Sequence, residues 1–195
     1  LREGLRLLEV QGLITIRRGP GGGPIVGQLD PANLGRTSTL FYHLAGGTYA
    51  ELLDAWVVTE AMLADRAARN ADRDAVREVL EPFLEDDHHQ DDEQVTEFVL
   101  AHTHFHGRLA SLARNRVLEV MLQTPGQIVT HHVLSHTDPR ADRDLIEEEH
   151  REIARAVIAG APQKAYKAMT SHIESMIETH RQHLGARLED FIDWR

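Results

Sequence analysis

Four histidines are the residues of this chain best suited to chemistry: the pair His102 and His106, and the single His150 and His172. A spacing of four residues on a helix puts two side chains on one face about one turn, or about 6 Å, apart, which suits two ligands on one ion. Both belong to an apolar stripe with Val99, Leu109 and Ala113, whereas His104 falls on the polar side with Glu97, Ala101, Arg108 and Ser111. His150 repeats the pattern in the stripe Ile146, His150, Ile153, Val157, and His172 in Ala165, Met169, His172, Met176. Three segments thus turn imidazoles toward one interior.

A single inward histidine is ordinarily a core residue hydrogen-bonded to a neighbour. Four buried together without partners carry a desolvation cost of about 1–3 kcal/mol each, and a shared cation removes much of it. The chain has no cysteine, so imidazole and carboxylate are its metal ligands. Imidazole nitrogens suit zinc, nickel, copper or iron, and the expected cofactor is a divalent transition metal, zinc or nickel. Trp56 and Glu60 share an inward stripe with Leu53, Leu63 and Ala67 and are candidates to bind an effector; for Trp56, plain core filling is the alternative. His132 and His136, in step with Ile128 and Val129, either line the pocket beside the metal or stand partly exposed near a helix end. His131, His180 and His183 are expected at the surface.

The elements that must position these residues are helical almost throughout. Apolar periodicity predicts helices near 37–45, 48–69, 72–85, 91–113, 115–136, 142–159 and 162–184, with Pro125-Gly126 kinking or splitting the fifth. The acidic run Glu85 to Glu93 reads as a solvated connection. No segment in this part alternates with period two, so an antiparallel all-helical bundle is the expected architecture. Ahead of it, Leu1, Leu5 and Leu8 mark a short helix ending at Gly12, and LITIRR, the breaker cluster GPGGGP and Ile25-Val26 read as two strands joined by a glycine-rich turn. Helix then hairpin is the second half of a winged helix. GQLDPANLG has turn composition, which places a linker at 28–36 between a module at 1–27 and a bundle at 37–190.

Charge divides the same way. Residues 1–27 hold four arginines against two glutamates, a net +2, so a total of −10 leaves −12 on the rest. One basic module and one acidic body imply two different partners. Arg2, Glu3 and Arg6 lie off the leucine face and are free to meet a major groove; Arg17 and Arg18 would meet phosphates, and Gly21, Gly22 and Gly23 let the backbone approach closely. The alternative is an ordinary amphipathic helix with solvated arginines. No run is long and apolar enough to span a membrane, and no signal peptide opens the chain, so the cytoplasm is the expected compartment.

The stretch LREGLRLLEVQGLITIRRGPGGGPIV resembles the recognition helix and wing of the GntR family of transcription regulators. HTHFH (102–106), Asn115, EEEHREI (147–153) and MTSHIE (169–174) resemble the marks of that family's FadR-type, or FCD, effector-binding domain. The resemblance implies a mainly all-α protein: an FCD-type bundle preceded by a partial winged helix-turn-helix with a β-hairpin wing. It further implies a homodimeric, ligand-responsive repressor that binds operator DNA, with Arg2 at the operator, a metal on the four histidines and a small carboxylate effector beside it. The first two helices of the winged helix are missing and the chain does not start with Met, so it is expected to be part of a longer protein. Two departures stand out. The family usually has Asp or Asn where this chain has His102; an all-imidazole site is neutral and leaves the ion's charge available to an anionic ligand, or else His102 swings away and three ligands remain. Trp56 stands where the family commonly has an effector-facing Arg, and an indole cannot fork-bind a carboxylate. The rival readings are a helical metalloenzyme in which Glu60 and the histidines activate water, and a metal-free regulator with an apolar effector.

Overall fold

The computed structural model describes residues 1–27, 31–85, 95–132 and 142–194. A short helix α1 (Arg2–Val10) leads into an antiparallel hairpin, β1 (Ile14–Arg17) and β2 (Gly23–Val26), with Ile14 opposite Val26 and Arg17 opposite Gly23. Among the described residues seven α-helices follow: α2 (Pro31–Leu44), α3 (Tyr49–Ala68), α4 (Arg73–Leu80), α5 (Val95–Ser111), α6 (Arg116–His132), α7 (Arg143–Ile158) and α8 (Pro162–Leu184). The chain is mainly helical with a small hairpin, the class expected from its periodicity.

α3 is the axis of the bundle. Thr48 starts it with a capping box, its hydroxyl accepting from Glu51 N–H while the Glu51 carboxylate accepts from Thr48 N–H at 2.9 Å, which satisfies two end donors reciprocally. Leu52, Leu53, Ala64 and Ala67 are buried along it in one cluster with Met169, Ile173 and Ile177 of α8, Ile128 and Val129 of α6, and Ile153 and Val157 of α7, while Leu63 packs with Ala110 and Ala113. Alanines on α3 let neighbouring helices come close, so side chains at matching heights on α5, α7 and α8 converge on it.

Arg73 fixes the far end of this packing. Its guanidinium donates to the carbonyls of Ala68 and Asn70 at the end of α3 and to those of Val157 and Ile158 at the end of α7, at 2.6–3.2 Å. These carbonyls stand where the helical ladders run out, Val157 O accepting besides from Gly160 N–H of the closing turn, and a cation there also meets the negative end of both helix dipoles.

At the other end a strap of Asp190–Asp193 crosses the α2–α3 corner. Ile192 N–H donates to Gly47 O, Tyr49 N–H to Asp190 O, and the His43 ring to Ile192 O at 2.9 Å. The Tyr49 hydroxyl accepts from Asp193 N–H and shares a hydrogen bond with His132 Nδ1 at 3.1 Å.

Three boundaries differ from the sequence reading. α2 starts at Pro31, inside the segment read as linker, because proline is well tolerated in a first helical turn and the polar composition of 31–36 hid the helix. α4 ends at Leu80 and a 3₁₀ turn (Glu81–Leu84) replaces its last turn, since Pro82 supplies no amide hydrogen. α6 runs through Pro125 as one element and is not split. Most of the acidic run, together with His136, lies outside the described residues.

Candidate metal centre

The four histidines meet. His102 and His106 come from α5, His150 from α7 and His172 from α8, and one ligand nitrogen of each lies within 4.8 Å of all the others. Four nitrogens about 2.1 Å from one tetrahedral ion stand about 3.4 Å from one another, so the rings close in by up to about 1.4 Å in pairwise separation to share it. Ring centroids of the six pairs are separated by 4.6–5.6 Å. His104 points outward as its spacing predicts, accepting from Arg108 Nε at 2.9 Å.

Carboxylates orient two of the rings from behind. Glu60, 3% exposed on α3, accepts from His106 Nδ1 at 2.8 Å, and Glu149 on α7 accepts from His172 Nδ1 at 2.8 Å. A carboxylate on Nδ1–H fixes the tautomer that turns the Nε2 lone pair to the centre, the usual outer arrangement of metal-bound imidazole. His106 Nε2 is buried with no hydrogen-bond partner, and His150 Nε2 and His172 Nε2 face each other at 3.2 Å. Phe105, fully buried, stacks on His150 with centroids 4.0 Å apart and planes 16° apart, holding that ring in place.

Burial, and then the neighbouring histidines, push the His150 pKa well below the ordinary imidazole value of 6.5. Burial also lowers His172, against the opposing pull of its Glu149 hydrogen bond. Both rings are therefore neutral near pH 7 and have lone pairs to give. A divalent cation fits this donor set: it meets the unpartnered His106 nitrogen, takes the place of the proton shared between His150 and His172, and balances Glu60 and Glu149.

Beside the centre lies a cleft of about 30 Å³, lined by Trp56, Glu60, His102, Thr103, His106, Gly107, Gln123, Gly126, Gln127 and Thr130. Trp56, 2% exposed, and Glu60 reach it because residue 126 is glycine: a Cβ there would stand 2.9 Å from Trp56 Nε1 and 3.2 Å from Glu60 Oε1. His132 is not among the lining residues and is engaged by Tyr49 instead; His131 is exposed.

The model of the FCD domain matches residues 51–175, a span that contains all four histidines and both carboxylates. The chain belongs to the FCD family. Proteins with this domain are ligand-responsive transcription regulators and not enzymes, which sets aside the metalloenzyme reading. No curated protein matches the chain closely enough to count as a relative. Among solved structures, the GntR protein of Streptococcus agalactiae shares the fold at a TM-score of 0.55 with 21% identity, over 91% of this chain and 80% of that one.

Ahead of the FCD domain, Arg2, Glu3, Arg6, Arg17, Arg18, Gly21 and Gly22 are all exposed, on α1 and around the hairpin. Gly22 closes the hairpin tip with N–H to Gly19 O at 2.9 Å, and a Cβ on it would fall 2.2 Å from Arg17 O, so only glycine fits. The leucine face of α1 is less covered than its periodicity suggests: no residue of α1 is buried, and Leu1 and Leu8 are exposed. No helix among the described residues is long and apolar enough to cross a membrane.

The periodicity points to the four rings and to Glu60, which both lines the cleft and accepts from His106. It missed Glu149, Phe105 and Gly126. Phe105 and Glu149 each precede a ligand in sequence, and adjacency was the one available signal.

Proposed function

We propose that this chain is a GntR-type regulator of the FadR branch that binds operator DNA as a homodimer and represses transcription. Its helical domain, 37–190, holds one divalent transition metal, zinc or nickel, on His102, His106, His150 and His172. The observation that carries the reading is the convergence of four imidazoles from three helices on one point, two of them backed by carboxylates, inside an FCD domain. A bound ion supplies a positive charge that neutral imidazoles accept readily and that later transition metals fit best.

The DNA-binding half of the reading is supported by the order α1–β1–β2, by a net charge of +2 on residues 1–27, and by the exposed Arg2, Arg6, Arg17 and Arg18. Few cations are offered, so two copies on adjacent half-sites are needed for useful affinity.

Metal analysis of protein purified without a nickel column tests the centre. One zinc or nickel per chain is expected, lost in His150→Ala with His104→Ala as the control that keeps it. A metal-free protein that takes up neither ion would end the reading.

A further inference from the structure

We propose that the metal cation is itself the signal this FCD domain reads, and that the four-histidine centre is a sensory site with no separate organic acid. The proposal rests on the metal-binding reading above. Three observations carry it: the room at the site, its charge, and its connections.

The room is too small for an organic acid. Pockets for small molecules occupy about 300–1,000 Å³, and one water needs about 10–15 Å³. The cleft of about 30 Å³ takes an ion's water or two. Trp56 forms one wall of the cleft, seated against the bare backbone of Gly126.

The charge is already matched. The sequence alone suggests that neutral imidazoles leave the ion's charge for an anion, but Glu60 and Glu149 stand behind the rings and offset a doubly charged ion. Among the described residues no arginine or lysine lines the cleft, whose other polar groups are Thr103, Gln123, Gln127 and Thr130. A carboxylate entering here would be desolvated without a counter-charge.

The connections lead to α2. The bond between His150 and His172 joins α7 to α8, and that between His106 and Glu60 joins α5 to α3. Binding all four rings ties both pairs through one point. Glu60 Oε1 lies against Gly126 of α6, and the next two residues, Gln127 and Ile128, pack on Gly35 of α2, the helix that follows the hairpin in sequence. Ligation therefore acts on a contiguous set of packed contacts, and its effect on DNA binding equals its difference in affinity between the two arrangements.

The test uses the intact gene product and duplexes selected from a random-sequence pool, in separate rounds with chelator-treated and with zinc-loaded protein. Affinity for the selected duplexes is then measured with chelated protein, with zinc or nickel alone, and with acetate, lactate or succinate added to each. The ion alone is expected to change Kd by about tenfold or more, and the acids by less than about twofold. Stoichiometric zinc binding with a DNA affinity that ignores the ion, or that moves only when an acid is added, overturns the proposal and leaves the metal site standing. Absence of zinc binding overturns both, and failure to select any duplex overturns the DNA-binding reading as well. His150→Gln and His106→Gln, checked for helicity by circular dichroism, should each abolish the response to zinc.

Discussion

Phe105 and His150 lie face to face, with ring centroids 4.0 Å apart, so the residue before one ligand on α5 fixes the ring of another on α7. Phe105→Leu keeps most of the buried volume but removes the flat face. Zinc affinity, measured by competition with a chromophoric chelator, should fall about tenfold, with a stability loss of about 1 kcal/mol. Unchanged affinity would mean that the stack packs the core without orienting His150.

Glu60→Gln retains the size of the side chain and an oxygen to accept from His106 but removes a charge. Loss of an outer partner of this kind weakens metal affinity by about 10–100-fold. Titration calorimetry with zinc is the measurement. The metal-free protein should unfold near the wild-type midpoint, because Gln keeps the hydrogen bond.

Gly126→Ala places a methyl 2.9 Å from Trp56 Nε1 and 3.2 Å from Glu60 Oε1. The indole is buried and cannot swing into solvent, so overpacking should cost about 1–3 kcal/mol in denaturant unfolding. Zinc affinity should fall with it, since the methyl also crowds Glu60, which orients His106. A variant as stable as the parent would show that the cleft is wider than described.

Acid should destabilise the metal-free protein. Burial holds His150 and His172 below 6.5, so as pH falls through 6.5 the unfolded chain takes up protons at these rings while the folded chain does not. The state that binds more protons is favoured, so folding stability is fully present above 6.5 and is lost on the way down. Urea midpoints compared at about pH 7.5 and about pH 5.5 should show the decline, and zinc-loaded protein should show it more steeply because protons displace the ion. A higher midpoint at the lower pH would contradict the neutral assignment of both rings.

The ring positions were legible because each histidine sits in an apolar stripe of period 3.6, and in a bundle such stripes face one interior. What stayed hidden depends on distances between helices. Glu149 is one residue from His150 and so points along a different face of α7; only the approach of α8 brings His172 to it. Trp56 and Glu60 looked inward correctly, but their proximity to α6 depends on the missing side chain of Gly126, a residue that reads locally as a helix breaker. His132 shares a stripe with the core residues Ile128 and Val129, and a tyrosine 83 residues away in sequence takes it up. The start of α2 was obscured because glycine, proline and asparagine in 31–35 mimic a loop.

Arg73 sits at the opposite end of the bundle from the strap, yet it acts on the spacing within the centre. By holding the last carbonyls of α3 and α7 in one guanidinium fork, it fixes how far each helix can slide along the other. Glu60 rides on α3 and His150 on α7, so their relative height is gauged from that distant clamp. A lysine, with one compact ammonium in place of a rigid fork, could not span both helix ends.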